Sequence, residues 1–333
     1  MEKIIIDAFG CDSPDSIIKG VASCLQAIPD ISIILCGDRE YIENQLSAYE
    51  YDSERLEILN APQIISNDDD PRKALLQKRN SSLIAGMTRL KTDGEAVGMI
   101  TAGSTGAAIL SSAVYLGRLP GVEAPALAAH LPSKKEGHYV IMLDCGAAVD
   151  VAPEQMKPFT LLGCALSESF VGVENPRVAV VSVGTEDSKG NAFSKKVFSY
   201  LKEMPINFAG NMEARDALSG NYDVLVCDGF SGNVLLKGTE GAALFVVEKF
   251  IEALKKNLPE GVDGSFIKKA VGDVLRQIDL SSNGGAMILG TIKPVIKAHG
   301  NSNEQSVLSC VRQLLKIHKG GYVERAAKLF EKI

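Results

Sequence analysis

The sequence predicts a three-layer α/β/α fold with a mainly parallel sheet and an inserted helical hairpin. Three observations carry that expectation. Short apolar runs rich in Ile, Val and Leu recur along the 333 residues, each of the length of a buried parallel strand. Turns bearing Gly or Asp end these runs and amphipathic helical patterns follow, which is the alternation of βα units covered on both faces. The exception is 241–283, where two helical patterns follow one another with no strand between them. Residues 1–333 are therefore read as a single α/β unit, with 241–283 as the hairpin.

Taken in order, residues 3–6 form the first strand, followed by Asp7-Ala8-Phe9-Gly10 and a helix near 15–28. Residues 32–35 lead to Cys36-Gly37-Asp38 and a helix through Leu46. A strand at 56–59 precedes Asn67-Asp68-Asp69-Asp70, and Pro71 suits the first turn of a helix carrying Arg72, Lys73, Lys78 and Arg79. Residues 97–100 enter Thr101-Ala102-Gly103-Ser104-Thr105-Gly106 and a small-residue helix to Leu116. Strands at 139–143 and 178–183 enter Asp144-Cys145-Gly146 and the turn 184–190. A strand at 206–208 enters Gly210-Asn211, and one at 223–227 enters 228–233. Residues 294–298 enter His299-Gly300-Asn301-Ser302-Asn303 and a last helix.

At least six polar turns thus lie at C-terminal strand ends, and in a parallel sheet those ends share one edge, outside which ligands bind. The stretch 222–240 shows the pattern best. Its strand, glycine turn and helix place free N–H groups and a positive helix end at one point, which suits an anion. An ordinary βα connection with Asn233 or Ser231 as N-cap fits the same residues.

Composition narrows the function. A net charge of −6 argues against a nucleic-acid footprint. The N-terminus lacks the pattern of a signal peptide and no apolar run reaches the ~20 residues of a membrane span. These features predict a cytoplasmic protein, with peripheral membrane attachment as the furthest extension. The seven cysteines show no C-x-x-C pair and no metal-ligand spacing with the four histidines, so packing thiols and no metal are expected. The loop at 101–106 lacks a P-loop lysine, no G-x-G-x-x-G follows a strand and no G-x-S-x-G is present. What remains is a set of neutral donors (Ser104, Thr105, Ser231, Asn233, Asn301, Ser302) with Lys189, Lys237 and His299. That set suits positioning a phosphate or an oxyanion without a covalent enzyme intermediate. Asp144 and Asp228, at strand ends, fit residues that hold a turn by accepting N–H bonds.

The segment CDGFSGNVLLKGTEG (227–241) resembles the signature of the acyl-carrier-protein:phosphate acyltransferases of bacterial phospholipid synthesis. DAFGCDSP (7–14), TAGSTGA (101–107), DCGAA (144–148), VGTEDSKG (183–190), NFAGNMEARD (207–216) and VIKAHGNSN (295–303) resemble further motifs of that family in the expected order. The resemblance implies transfer of a long-chain acyl group from acyl carrier protein to inorganic phosphate, without a cofactor. It also implies a fold similar to the isocitrate/isopropylmalate dehydrogenase and phosphotransacetylase group. A homodimer joined partly by the hairpin, and peripheral contact with the membrane acyltransferase that takes the product, are implied as well. Lys189 and Asn233 fall on the family's functional lysine and asparagine. Gly103, Ser104, Thr105, Gly106, Asp144, Gly184, Glu186, Asp228, Gly229, Ser231, Gly232, His299, Asn301 and Ser302 are the expected phosphate and substrate contacts.

The chain departs from the family pattern at Cys11, Ser13, Ser104, Ala124, Ala148 and Thr185, several of which remove a polar group from the expected site edge. Two other readings stay open: a phosphotransacetylase acting on a short acyl-coenzyme A, and a catalytically weakened scaffold binding acyl carrier protein. Long-chain use predicts an apolar groove near the hairpin, and coenzyme A use a basic pocket. A basic patch at Arg72, Lys73, Lys78 and Arg79 would suit an acidic carrier, and is also what a solvated helix face looks like.

Overall fold

The computed structural model describes residues 1–148, 150–257, 265–278 and 284–332. Strand β1 (Glu2–Asp7) feeds α1 (Pro14–Ala27), where Ser13 accepts the Ser16 N–H as N-cap and Pro14 sits in the first turn. Next come β2 (Ile31–Gly37), α2 (Arg39–Leu46) capped by Asp38, and β3 (Leu56–Asn60). Asp70 and Ser81 cap α3 (Pro71–Gln77) and α4 (Ser82–Thr92), which precede β4 (Ala96–Thr101) and α5 (Thr105–Ser111). The middle of the chain forms β5 (Ala126–Pro132), β6 (Tyr139–Leu143), α6 (Met156–Leu166), β7 (Val178–Ser182) and α7 (Ala192–Glu203). Then follow β8 (Phe208–Glu213), β9 (Val224–Val226), α8 (Gly229–Asn257) and α9 (Ser265–Ile278). The chain closes with β10 (Ala286–Leu289), β11 (Val295–Lys297), α10 (Glu304–Lys319) and α11 (Tyr322–Phe330).

The strands join in one sheet of order β3-β2-β1-β4-β11-β10-β5-β6-β9-β7-β8. β3, β2, β1, β4 and β11 are mutually parallel, and so are β6, β9, β7 and β8. Between these blocks β10 is antiparallel to both β11 and β5, and β5 is antiparallel to β6. Three reversals in a row leave the second block running opposite to the first. This corrects the expectation that all the polar turns share one edge: the turns after β1, β4 and β11 lie at one edge, those after β6, β7 and β9 at the other.

Helices cover both faces, as the βα alternation requires. One face carries a continuous core that includes Ile18 and Val21 of α1, Leu162 of α6 and Val311 of α10. The opposite face carries two separate cores. The first is built on Met87 of α4, Ala107 and Ala108 of α5, and Leu127 and Ile288 of the seam strands. The second holds Leu131, Met142 and Leu225, with Leu235 and Leu236 of α8 against it. The gap between those two cores lies over the seam.

Three local expectations are revised. The helix from Pro71 ends at Gln77, and Lys78 closes it while its ammonium pairs with Asp69 at 2.6 Å, so the four basic residues do not share one helix face. Gly210 is not a turn after a short strand but an interior residue of β8 at φ +92°, beside a register shift in the pairing with β7, as a bulge requires. The hairpin is longer than 241–283 suggested at its start, because α8 runs unbroken from Gly229; residues 258–264 and 279–283 lie outside the described residues. Leu244, Phe245, Val246 and Phe250 of α8 and Val274 of α9 are exposed. No described helix is long and apolar enough to cross a membrane.

Candidate functional site

A cleft of about 370 Å³ opens in the gap between the two cores, with Leu127 of β5 and Ala286 of β10 in its floor. Its walls come from both blocks. Gly103, Thr105, Lys297 and His299 stand on the first block's side, and Cys145, Gly146 and Asn233 on the second's.

The second wall is organised by Asp144. Fully buried, its carboxylate accepts the N–H groups of Leu127 (3.0 Å), Gly146 (3.3 Å), Ala147 (3.0 Å) and Ala148 (3.2 Å). Burial pushes its pKa above the ordinary carboxylate value, against the pull of those donors. The turn so held is the surface on which α8 begins. A Cβ on Gly229 would lie 2.0 Å from the Ala148 carbonyl oxygen, and one on Gly232 would lie 1.9 Å from that of Asp144. Close approach of the two backbones requires glycine at both positions.

Asp228 caps α8: it accepts the Ser231 N–H at 2.7 Å and the Ser231 hydroxyl at 2.9 Å. Neither Ser231 nor Asn233 is therefore the N-cap. Asn233 sits one turn into the helix, with its side chain exposed in the cleft and within 3.8 Å of where a Gly146 Cβ would stand. Gly146, at φ +116°, leaves room beside it.

On the first wall three strands end in register. Asp7 of β1 pairs with Thr101 of β4, and Thr101 with Lys297 of β11. The period of two puts all three side chains on the face that carries the cleft, the same face as Ile5, Met99 and Val295. The Thr101 hydroxyl donates to Asp7 at 2.8 Å and accepts the Gly103 N–H at 3.1 Å, which ties the glycine loop to the row. Asp7 is 2% exposed, and burial raises its pKa to about 6. Lys297 is 9% exposed and lines the cleft; burial lowers its pKa to about 8. Sequence reasoning did not single out Lys297. The signal was a lysine ending an apolar strand whose neighbours end in Asp and Thr.

A second hollow of about 650 Å³ adjoins the cleft across the 144–148 turn and the 103–106 loop. Ile109, Leu110, Ala113 and Val114 line one side of it and Ala124, Pro125, Ala147 and Ala148 the other, with Arg72 and Arg118 among its lining residues. Among the described residues, none from 241 onward lines it, so this hollow is not the groove expected near the hairpin. It instead runs past Ala124 and Ala148, two of the departures from the family pattern.

The remaining expected residues separate. Gly106 lines the groove, and Ser104 is buried at the start of α5 without a capping bond. Gly184, Glu186 and Lys189 form an exposed-edged turn after β7 in which Lys189 donates its N–H to the Glu186 carbonyl at 3.0 Å; none of the three lines the cleft. Asn301 is exposed outside it, while the buried Ser302 hydroxyl has no hydrogen-bond partner among the described residues. Lys237 lines the cleft but pairs with Glu240 at 2.7 Å. The Cys145 thiol is also at the cleft, where burial pushes its pKa to about 12 and leaves it a packing group, not a nucleophile.

Comparison with known proteins gives a consistent picture. Residues 2–325 match the family described as fatty acid synthesis protein. A phosphate acyltransferase of Bacillus cereus is 39% identical over 331 residues, covering 99% of this chain and 98% of its own. That of Halothermothrix orenii is 40% identical over 313 residues, covering 93% of each. Among solved structures, a phosphotransacetylase from Streptococcus pyogenes covers 99% of this chain and 94% of its own, at TM-score 0.61 and 15% identity. A branched-chain phosphotransacylase from Enterococcus faecalis covers 96% and 99%, at TM-score 0.58 and 13% identity. At those identities the structural likeness speaks for the fold.

Proposed function

Because the chain belongs to the fatty acid synthesis protein family, and its full-length relatives are phosphate acyltransferases, we propose that it transfers an acyl group from a thioester to inorganic phosphate. A further part of the reading is that the acyl group is long and its carrier is acyl carrier protein. The observation that supports it is the pairing of a small polar cleft with a larger apolar groove across one shared turn. The cleft suits the phosphate and the thioester carbonyl, and the groove suits the chain. Arg72 and Arg118 line the groove beside Asp70 and Glu123, so its rim offers an acidic carrier protein two guanidinium partners without a net positive patch.

In this reading a phosphate oxygen attacks the thioester carbonyl carbon, the C–S bond breaks, and the thiolate leaves and takes a proton from solvent. Phosphate needs no activation as a nucleophile, and a thiol of pKa near ~8.5 is a competent leaving group. The protein's work is to hold a dianion against a carbonyl and stabilise the oxyanion that develops. Asn233, projecting from α8, donates to that oxygen. Lys189, in the turn after β7, the strand beside β9, is the cation that neutralises the phosphate in this reading.

The test offers the protein inorganic phosphate with either palmitoyl-acyl carrier protein or acetyl-coenzyme A and traps acyl phosphate with hydroxylamine. Product from the first donor at a rate at least about tenfold above the second is expected. Product from acetyl-coenzyme A alone would replace this reading by that of a phosphotransacetylase, and product from neither would leave a carrier-binding scaffold.

The exposed Leu244, Phe245, Val246 and Phe250 support a further part of the proposal, that α8 pairs with a second copy of the chain. Replacing Phe245 and Phe250 together by aspartate is expected to convert dimers to monomers in sedimentation. Monomeric wild-type protein that binds anionic vesicles through the same residues would reassign this face to a membrane surface.

A further inference from the structure

We propose that Lys297 is the cation that receives the attacking phosphate. The inference rests on the reading of the cleft as the site of acyl transfer to phosphate, and it adds a residue to which neither the motif resemblance nor the comparisons give a role.

Geometry carries it. The cleft floor is built from the seam strands, and Lys297 ends the strand beside them, with its side chain on the cleft face. Among the described residues the ammonium donates to the carbonyl of Ala298, which leaves N–H directions for a ligand. A buried cation is an expensive feature to keep unless something compensates it. Asp7, two strands away in the same row, supplies a distant negative charge but spends its carboxylate on the Thr101 hydroxyl and the Phe9 N–H. A phosphate in the cleft would complete the set. Held at the ammonium, it lies between the glycine loop that Thr101 anchors and Asn233 on the facing wall.

Lys189 is the other candidate cation, and its position is less suited. Its side chain is exposed, and the same pair of charges interacts several times more weakly near water than in a buried setting. Lys297 combines burial, cleft access and a fixed backbone at a strand end. The depressed pKa has a consequence in the same direction: phosphate binding draws a proton onto the ammonium when it is partly deprotonated. The acidic groups whose charge acts on Lys297 are Asp7 on β1 and Asp12 in the loop after it, with the thiols of Cys11 and, across the sheet, Cys310 of α10, while Lys237, His299 and Cys145 line the same cleft.

The experiment measures phosphate directly as well as through turnover. Lys297→Met and Lys297→Arg are compared with wild type for binding of inorganic phosphate by calorimetry and for the phosphate KM in acyl-phosphate formation. Lys297→Met is expected to raise Kd and KM for phosphate roughly 30-fold or more, with kcat at saturating phosphate within about tenfold. Lys297→Arg should recover most of the affinity. A structural lysine would change the melting temperature and leave both constants alone, so wild-type phosphate affinity in folded Lys297→Met overturns the proposal. Should Lys297→Met fail to fold, Lys297→Gln takes its place in the same two measurements, and wild-type phosphate affinity in that folded variant overturns the proposal. If the wild type binds phosphate through Lys297 yet makes no acyl phosphate, the transfer reaction fails and the phosphate site stands.

Discussion

Replacing Asn233 by alanine is expected to lower acyl-phosphate formation by about 10²–10³ while leaving the melting temperature within about 1 °C of wild type. The rate figure is the usual cost of losing one donor aimed at a developing oxyanion. The second half of the expectation comes from the structure. Had Asn233 been the N-cap of α8, its loss would cost ~1 kcal/mol of stability and any rate effect could be blamed on a frayed helix. Asp228 does the capping, and Asn233 stands beyond it with its side chain in the cleft. Asp228→Ala is the matching control: it should lower stability by ~1 kcal/mol and reduce the rate far less than Asn233→Ala. If Asn233→Ala keeps near-normal turnover at matched donor and phosphate, its catalytic assignment is wrong.

The larger effect on stability is expected at Asp144. Alanine there removes the acceptor of four backbone N–H groups, that of Leu127 buried in β5 and three in a half-buried turn, at roughly 1–3 kcal/mol for each that water does not reach. A loss on the order of 4 kcal/mol or more is expected, read as a shift in the urea midpoint at constant m. Asp144→Asn should lose less than half of that. One oxygen takes three of the four bonds, so only the Ala148 N–H, which the second oxygen accepts, would meet a donor. Activity should fall with stability in Asp144→Ala, because Gly229 and Gly232 pack on the turn that Asp144 holds. A fully stable Asp144→Ala would mean that the turn keeps its shape by other contacts.

Much of the fold was legible because its strands are written in Ile, Val and Leu. Residues 139–143 form a strand as read, and β1, β2, β3 and β4 differ from the reading by no more than two residues at either end. The two strands that escaped notice, β5 and β10, are the ones that matter most for topology. One reads ALAAHLP, alanine-rich and ended by proline; the other has four residues between glycines. Neither composition favours a strand locally; both are strands because neighbours on each side pair with them. Missing them hid the reversal of the second block, so the turns were placed along one edge.

At the site, single residues show the same division. Gly103, Thr105, His299 and Asn233 were found from turn position and meet in one cleft. The helix start was misjudged, since the Asp-Gly-Phe-Ser-Gly run suggests a loop while Asp228 and two glycines let α8 begin four residues before Asn233. Lys297 was passed over because its meaning depends on register: only the pairing of three strand ends shows that a lysine, a threonine and an aspartate stand in one row.

The order of that pairing has a consequence during synthesis. β4 is complete once residue 101 is made, but its second neighbour, β11, begins only at Val295. A nascent chain therefore carries an exposed, strongly apolar strand edge for most of its time on the ribosome, the kind of edge that recruits foreign strands. The first wall of the cleft joins Asp7, the 101–105 loop and Lys297, which lie far apart along the chain. Truncation near the C-terminus should leave a product that is both inactive and prone to aggregation, however well its earlier βα units form.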